Sequence, residues 1–233
     1  MEPWVFYLII SLIALMFVLS VITARARMKR VYLKYMQVNT DINITGKQFA
    51  FAAKQILRLN ELKFSLSKGM LTDAYVSKYK TLIISEKVCE TASLSSITIV
   101  AHEIGHALQH NNNNVLFNLS NFAKSVTRFT NKFIIPTLIA SIFLYIFQGL
   151  SSSLALTFLY ISAILFTMHI FNNLLLIPVE YGASSIALRF LRQNKVLTNK
   201  ELEKARYLLG IAAKTYIVHF FDGMFSFGWK RKY

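Results

Sequence analysis

Cysteine is nearly missing: Cys89 is the only one in 233 residues. An intrachain disulfide framework is thereby excluded, and so is a metal site built from cysteine thiolates. Acidic residues are scarce too, 11 Asp and Glu against 26 Lys and Arg, for a formal charge of +15. Such a surplus suits nucleic acid or anionic lipid as a partner. The basic residues are not clustered with aromatic side chains, however, and that argues against a nucleic-acid surface. Lys and Arg are also absent from the start of the chain and from the Ser151–Ser153 turn. "MEP" places no basic residue ahead of the first apolar run, as a cleaved signal peptide requires. That run is expected to be a retained anchor.

What the chain has in quantity is apolar length. It is 55% hydrophobic, with mean hydropathy +0.44. Three segments approach or exceed the roughly twenty apolar residues that a bilayer crossing needs. They are Trp4–Thr23, Phe133–Leu150 and Leu154–Ile177, the last two separated by a short serine turn. All 26 Lys and Arg lie either between Arg25 and Lys132 or between Arg189 and Lys232. By the positive-inside tendency both stretches belong to the cytosol. "RARMKR" directly after the first span is the strongest local anchor. The expectation is a multi-pass protein of the cell membrane. Residues 1–23 anchor it, 24–132 form a cytosolic region, 133–177 a membrane hairpin and 178–233 a cytosolic end. Its basic surplus is then explained by the lipid bilayer, without nucleic acid.

The cytosolic region divides into readable pieces. "TGKQFAFAAKQILRLN" opens with a capping box, Thr45 with Gln48, and predicts a helix burying Phe49, Ala53, Ile56 and Leu57. "MLTDAYVSKYKTLIIS" predicts two short strands, Thr81–Ser85 being the clearer. Leu94, Ile97, Val100, Ala101, Ile104 and Leu108 recur at helical spacing, and "NNNN" at 111–114 is loop composition. After the hairpin, Thr198 with Glu201 forms a second capping box, starting a last helix that packs or lies on the membrane.

Three ionisable groups stand inside the apolar helix: "IVAHEIGHALQH". Burying them is costly unless they are paired or coordinated. His102 and His106 lie one turn apart on one face, so both imidazoles can reach a single tetrahedral Zn²⁺. Glu103 is turned about 100° from His102, placed to serve water at the metal without binding the ion. Zinc lowers that water's pKa to around 7, and Glu103 would take its proton as it attacks a carbonyl. A third ligand is needed. The metzincin pattern needs Gly at 109 and His at 112, where this chain has Gln109 and Asn112. His110 lies roughly 12 Å along the helix from His102, too far to share the ion. Glu86, Glu90 and Asp222 remain as alternatives. Glu180, in "LLIPVEYGASSIAL", returns from the membrane on the side that holds the histidines.

"HEIGHALQH" followed by "PVEYGAS" resembles the bacterial membrane zinc metallopeptidases of the YugP type. The likeness extends through "ITGKQFAFAAKQIL", "LTDAYVSKYKTLIISEKV" and "AAKTYIV", most of the chain from Asn43. A looser one, E-x-x-A after a membrane hairpin, links it to HtpX-type proteases. The resemblance implies a mainly α, gluzincin-like integral membrane metalloprotease, with a small β element beside its active-site helix. It implies one Zn²⁺ on His102, His106 and Glu180, Glu103 as catalyst, and a peptide or protein substrate, membrane proteins included. The rival expectation is an inactive metal-binding scaffold or adaptor. Two departures stand out: "LTDAYVS" where the family has "LTDHYDP", and Ser185 and Ile186 where basic residues commonly follow. Ala74 in place of that histidine bears on substrate preference rather than on metal. Gluzincin-like enzymes add substrate as a strand to a sheet edge, and "TLIIS" is expected to be that edge. In the third span His169, Asn172 and Asn173 are expected to bond between helices. Tyr216 and His219 are candidates to stabilise an oxyanion.

Overall fold

The computed structural model describes residues 19, 22–148 and 153–225, the side chains of 148 and 214–225 excepted. The chain is mainly helical, with one small sheet. Helix α1 (22–36) and α2 (Gly46–Ile56) precede strand β1 (Lys63–Ser67), strand β2 (Ala74–Val76), a 3₁₀ turn (Ser77–Tyr79) and strand β3 (Thr81–Ser85). Helices α3 (Glu86–Glu90), α4 (Leu94–Asn111), α5 (Val115–Gln148), α6 (Ser153–Leu174), α7 (Leu176–Gln193) and α8 (Asn199–Phe225) follow.

The first capping box is present in full, and at the second Glu201 reaches back to the backbone and hydroxyl of Thr198. Thr45 and Gln48 exchange side-chain and backbone bonds at the start of α2, and Glu201 Oε2 accepts from Thr198 N at 2.8 Å. Glu201 also accepts from Asp41 N, tying the start of α8 to the loop before α2. Of the apolar residues expected inside α2, Phe49 and Ala53 are buried, but Ile56 is exposed on the last turn. Leu94, Ile97, Val100, Ala101 and Ile104 make α4 the centre of the core, against Tyr32 of α1, Phe49 of α2 and Leu191 of α7.

The expected edge strand is corrected. The sheet order is β1-β3-β2, with β3 parallel to β1 and antiparallel to β2, so "TLIIS" is paired on both sides. β3 buries Leu82, Ile84 and Ser85, and a strand this apolar takes the middle of a sheet. The missed strand is β1. "KFSLS" leaves Lys63, Ser65 and Leu66 exposed, so no buried alternation marks it in the sequence. The edge turned toward α4 is that of β2.

Among the described residues, two runs are long and apolar enough to cross a membrane, Val115–Phe147 and Ser153–Gln193. The expected first span, Trp4–Thr23, lies almost wholly outside the described residues. The described part of the second expected span, 133–148, is the later half of α5, which begins at Val115 and is 34 residues long. That is about 51 Å of helix against a hydrocarbon core of about 30 Å. Asn114 starts it by capping Phe117 N through Oδ1 at 3.1 Å. Within the third expected span the helix is interrupted at 175: α6 stops at Leu174 and α7 resumes at Leu176. Pro178 explains the break, because it has no N–H to give the Leu174 carbonyl one turn back. Ser141 Oγ donates to Ala155 O at 2.9 Å and holds α5 against α6.

A backbone contact brings α7 to the histidine helix. A Cβ on Gly105 would lie 2.5 Å from Ala183 O, so only glycine permits this approach. It places Glu180, three residues before Ala183, across from His102 and His106.

Candidate metal centre

His102, His106 and Glu180 converge. One ligand atom from each lies within 4.8 Å of the others. Glu180 Oε2 is 3.2 Å from His102 Nε2 and 3.3 Å from His106 Nε2. Zinc bonds of roughly 2.0–2.1 Å in a tetrahedron set neighbouring donors about 3.3 Å apart, so both separations suit an ion held among these atoms. Only 2% of Glu180 is exposed, with 9% of His102 and 7% of His106. An apolar helix pair therefore encloses three polar groups.

The far nitrogen of each ring is held in place. Ser184 Oγ lies 3.2 Å from His102 Nδ1, and Gln109 Oε1 3.0 Å from His106 Nδ1. Gln109 Nε2 donates to Val179 O at 2.9 Å, which turns its carbonyl oxygen toward the imidazole. His106 Nδ1 must then be the donor, since that oxygen only accepts. A neutral His106 would present the lone pair of Nε2 to a carboxylate oxygen. Two acceptors 3.3 Å apart need a cation between them, and this donor set fits a metal ion.

Glu103 takes no part in that cluster. Its Oε2 accepts from Tyr75 N at 2.8 Å, the outward N–H of edge strand β2. Burial pushes its carboxyl up to about 7; nearby His102 works against this, while Glu180 and Asp73 add to it. Asp73 holds the same strand. It accepts from Ser85 N at 2.7 Å and Ser85 Oγ at 3.2 Å, joining the approach to β2 to the end of β3. Burial raises the Asp73 carboxyl, and these bonds from Ser85 oppose the shift. Ala74, the departure noted in the sequence, begins β2 opposite Ile83.

His110 stays apart from the ligand cluster, as its distance along the helix implied. Its Nδ1 is 2.8 Å from Tyr75 Oη, and its ring packs near Phe117. Glu86 and Glu90 are exposed on α3, away from the cluster. The side chains of Tyr216, His219 and Asp222 lie outside the described residues. In α6, His169 is buried and Asn173 bonds to its ring and its carbonyl, a contact within one helix. Gln109 and Ser184 were overlooked in the sequence although it carried a signal for both. Gln109 follows His106 by three residues and Ser184 follows Glu180 by four, so each shares a ligand's helical face. The backbone donor at Tyr75 has no such signal.

A helical protein emerges, with two helices able to cross a membrane and a three-residue candidate metal centre returned beside them. The chain belongs to the family described as "Putative neutral zinc metallopeptidase", whose model matches residues 8–228. It is 29% identical over 201 residues to the "Putative membrane protease YugP" of Bacillus subtilis (strain 168), covering 83% of this chain and 82% of that protein. No solved structure matches it. The resemblance to the YugP-type membrane metallopeptidases is thereby shown.

Proposed function

We propose that the chain is a membrane-bound zinc endopeptidase with one Zn²⁺ per chain, hydrolysing peptide bonds on the cytosolic side. The observation that carries this reading is the pairing of a three-ligand pocket with a separately held carboxylate. His102, His106 and Glu180 would hold zinc, and Glu103 is left free of the ligand cluster. Zinc in such a site supplies Lewis-acid chemistry, acidifying water and polarising a carbonyl. Glu103 serves as general base, taking the water proton on a carboxylate oxygen and handing it to the leaving amine. The Tyr75 N–H orients that carboxylate and stabilises its charged form. Ser184 and Gln109 fix the two rings so that each Nε2 faces inward. Buried by α4 and α7, the pocket keeps bulk water from competing.

The test is direct. Purified protein in detergent is expected to carry close to one zinc per chain and to hydrolyse casein. A strong chelator should abolish cleavage, and added zinc should restore it. Zinc-loaded protein that cleaves neither casein nor itself would reject the peptidase and leave the metal-binding scaffold.

The orientation rests on the distribution of Lys and Arg. A cysteine placed at Ser151 is expected to react with an impermeant thiol reagent in intact cells. One placed at Asn112 should react only after lysis. Labelling of Asn112→Cys alone in intact cells would put the metal centre outside.

A further inference from the structure

A cavity of about 630 Å³ runs between α7 and α8, beside the metal centre but off its ligand face. Leu188, Arg189 and Arg192 line it from α7, and Arg206 and Leu209 from α8. At 100° per residue, the α7 positions turn roughly a quarter circle or more away from Glu180. Ser184 stands on the ridge between the two. Its hydroxyl touches His102 Nδ1 at 3.2 Å, and the residue also lines the cavity. Whatever lies in the cleft therefore lies next to a metal ligand.

The charge is one-sided. Three arginines line the cleft, and no Asp or Glu is among its described lining residues. Among the described residues, none of the three is in an ion pair. Like charges gathered in one cleft repel unless an anion joins them. The planar guanidinium fork matches a carboxylate with two parallel hydrogen bonds. The space is many times larger than a single inorganic ion, and Leu188 and Leu209 add apolar lining. An extended ligand with several carboxylates and some apolar surface fits both features.

We infer that this cleft takes an acidic segment of the polypeptide substrate, to one side of the bond to be cleaved. The inference rests on the peptidase reading above, yet binding tests it apart from hydrolysis. Full-length Glu103→Gln protein in detergent is titrated with a labelled peptide carrying a run of Glu, and with its Gln counterpart. The acidic peptide is expected to bind at least about tenfold more tightly. Arg189→Gln/Arg192→Gln and Arg206→Gln should each shrink that preference. Lys63→Gln/Lys68→Gln, which removes charge at the start of the far strand and just after its end, should keep it. Equal affinity for the two peptides, or the same loss in the lysine control, would overturn the cleft. So would displacement of the acidic peptide by an equal concentration of inorganic phosphate. Tight acidic binding with neither peptide cleaved by zinc-loaded wild type supports the cleft and strikes the peptidase reading instead.

Discussion

Glu103→Gln should slow peptide hydrolysis by about 10²–10⁴-fold while zinc stays bound at the wild-type level. Gln keeps the shape of the side chain and an oxygen for the Tyr75 N–H, now 2.8 Å from Glu103 Oε2. It has no basic oxygen to take a proton. Since Glu103 stands apart from His102, His106 and Glu180, the metal has no reason to leave. The same change should stabilise the zinc-free protein above neutral pH. Burial lifts the Glu103 carboxyl from 4.5 to about 7, so the fold prefers it protonated. Its contribution is present below about 4.5, is lost as pH rises toward 7, and is absent above that. Up to about 3 kcal/mol is at stake, and Gln has no charge to bury. Metal-free Glu103→Gln should therefore melt above metal-free wild type at pH 8 and close to it at pH 4. Cleavage at the wild-type rate by the variant would remove Glu103 from the mechanism. An unchanged melting difference between the two pH values would contradict its burial.

The parts legible in the sequence were those set by helical period and capping. His102, Glu103 and His106 announce themselves because three ionisable groups interrupt an apolar helix. The helix start at Thr45 follows from reciprocal side-chain and backbone bonds with Gln48, and that at Thr198 from the Glu201 carboxylate reaching back to its N–H. The sheet was harder to read, since strand order depends on which strand the rest of the fold covers. β3 is covered on one edge by β2 and on the other by β1, whose own residues are largely exposed and carry no pattern. The hold on Glu103 was also hidden. It comes from a backbone N–H, and every residue but proline has one. Gly105 was visible as a letter but not as a contact; its meaning appears only with Ala183 O 2.5 Å from where a Cβ would be. The length of α5 was hidden for a related reason. The second apolar run begins only at Phe133, yet nothing at 118–132 breaks a helix, and α5 runs through from Val115.

Glu180→Ala should lower zinc occupancy as far as His106→Ala does, with the helices still formed. Two histidines alone leave a zinc site one protein ligand short of the three that catalytic sites use. Glu180 is the one carboxylate that the described structure brings to both imidazoles, at 3.2 and 3.3 Å. The loss should exceed the roughly 10–100-fold typical of removing a supporting hydrogen bond. Gln109→Ala supplies that milder comparison, since it leaves all three ligands and frees only the His106 ring. Unfolding is not the expected cause of zinc loss. α4 and α7 meet through the backbone at Gly105 and Ala183 and through buried Val179, Ala187 and Leu191, none of which the substitution alters. Far-UV circular dichroism should accordingly match wild type while bound zinc falls. A Glu180→Ala protein that keeps zinc at wild-type affinity would reject the ligand. Of the other carboxylates, Glu86 and Glu90 are exposed on α3 with no partner histidine in the cluster. Asp222, on α8, would then be the next residue to change.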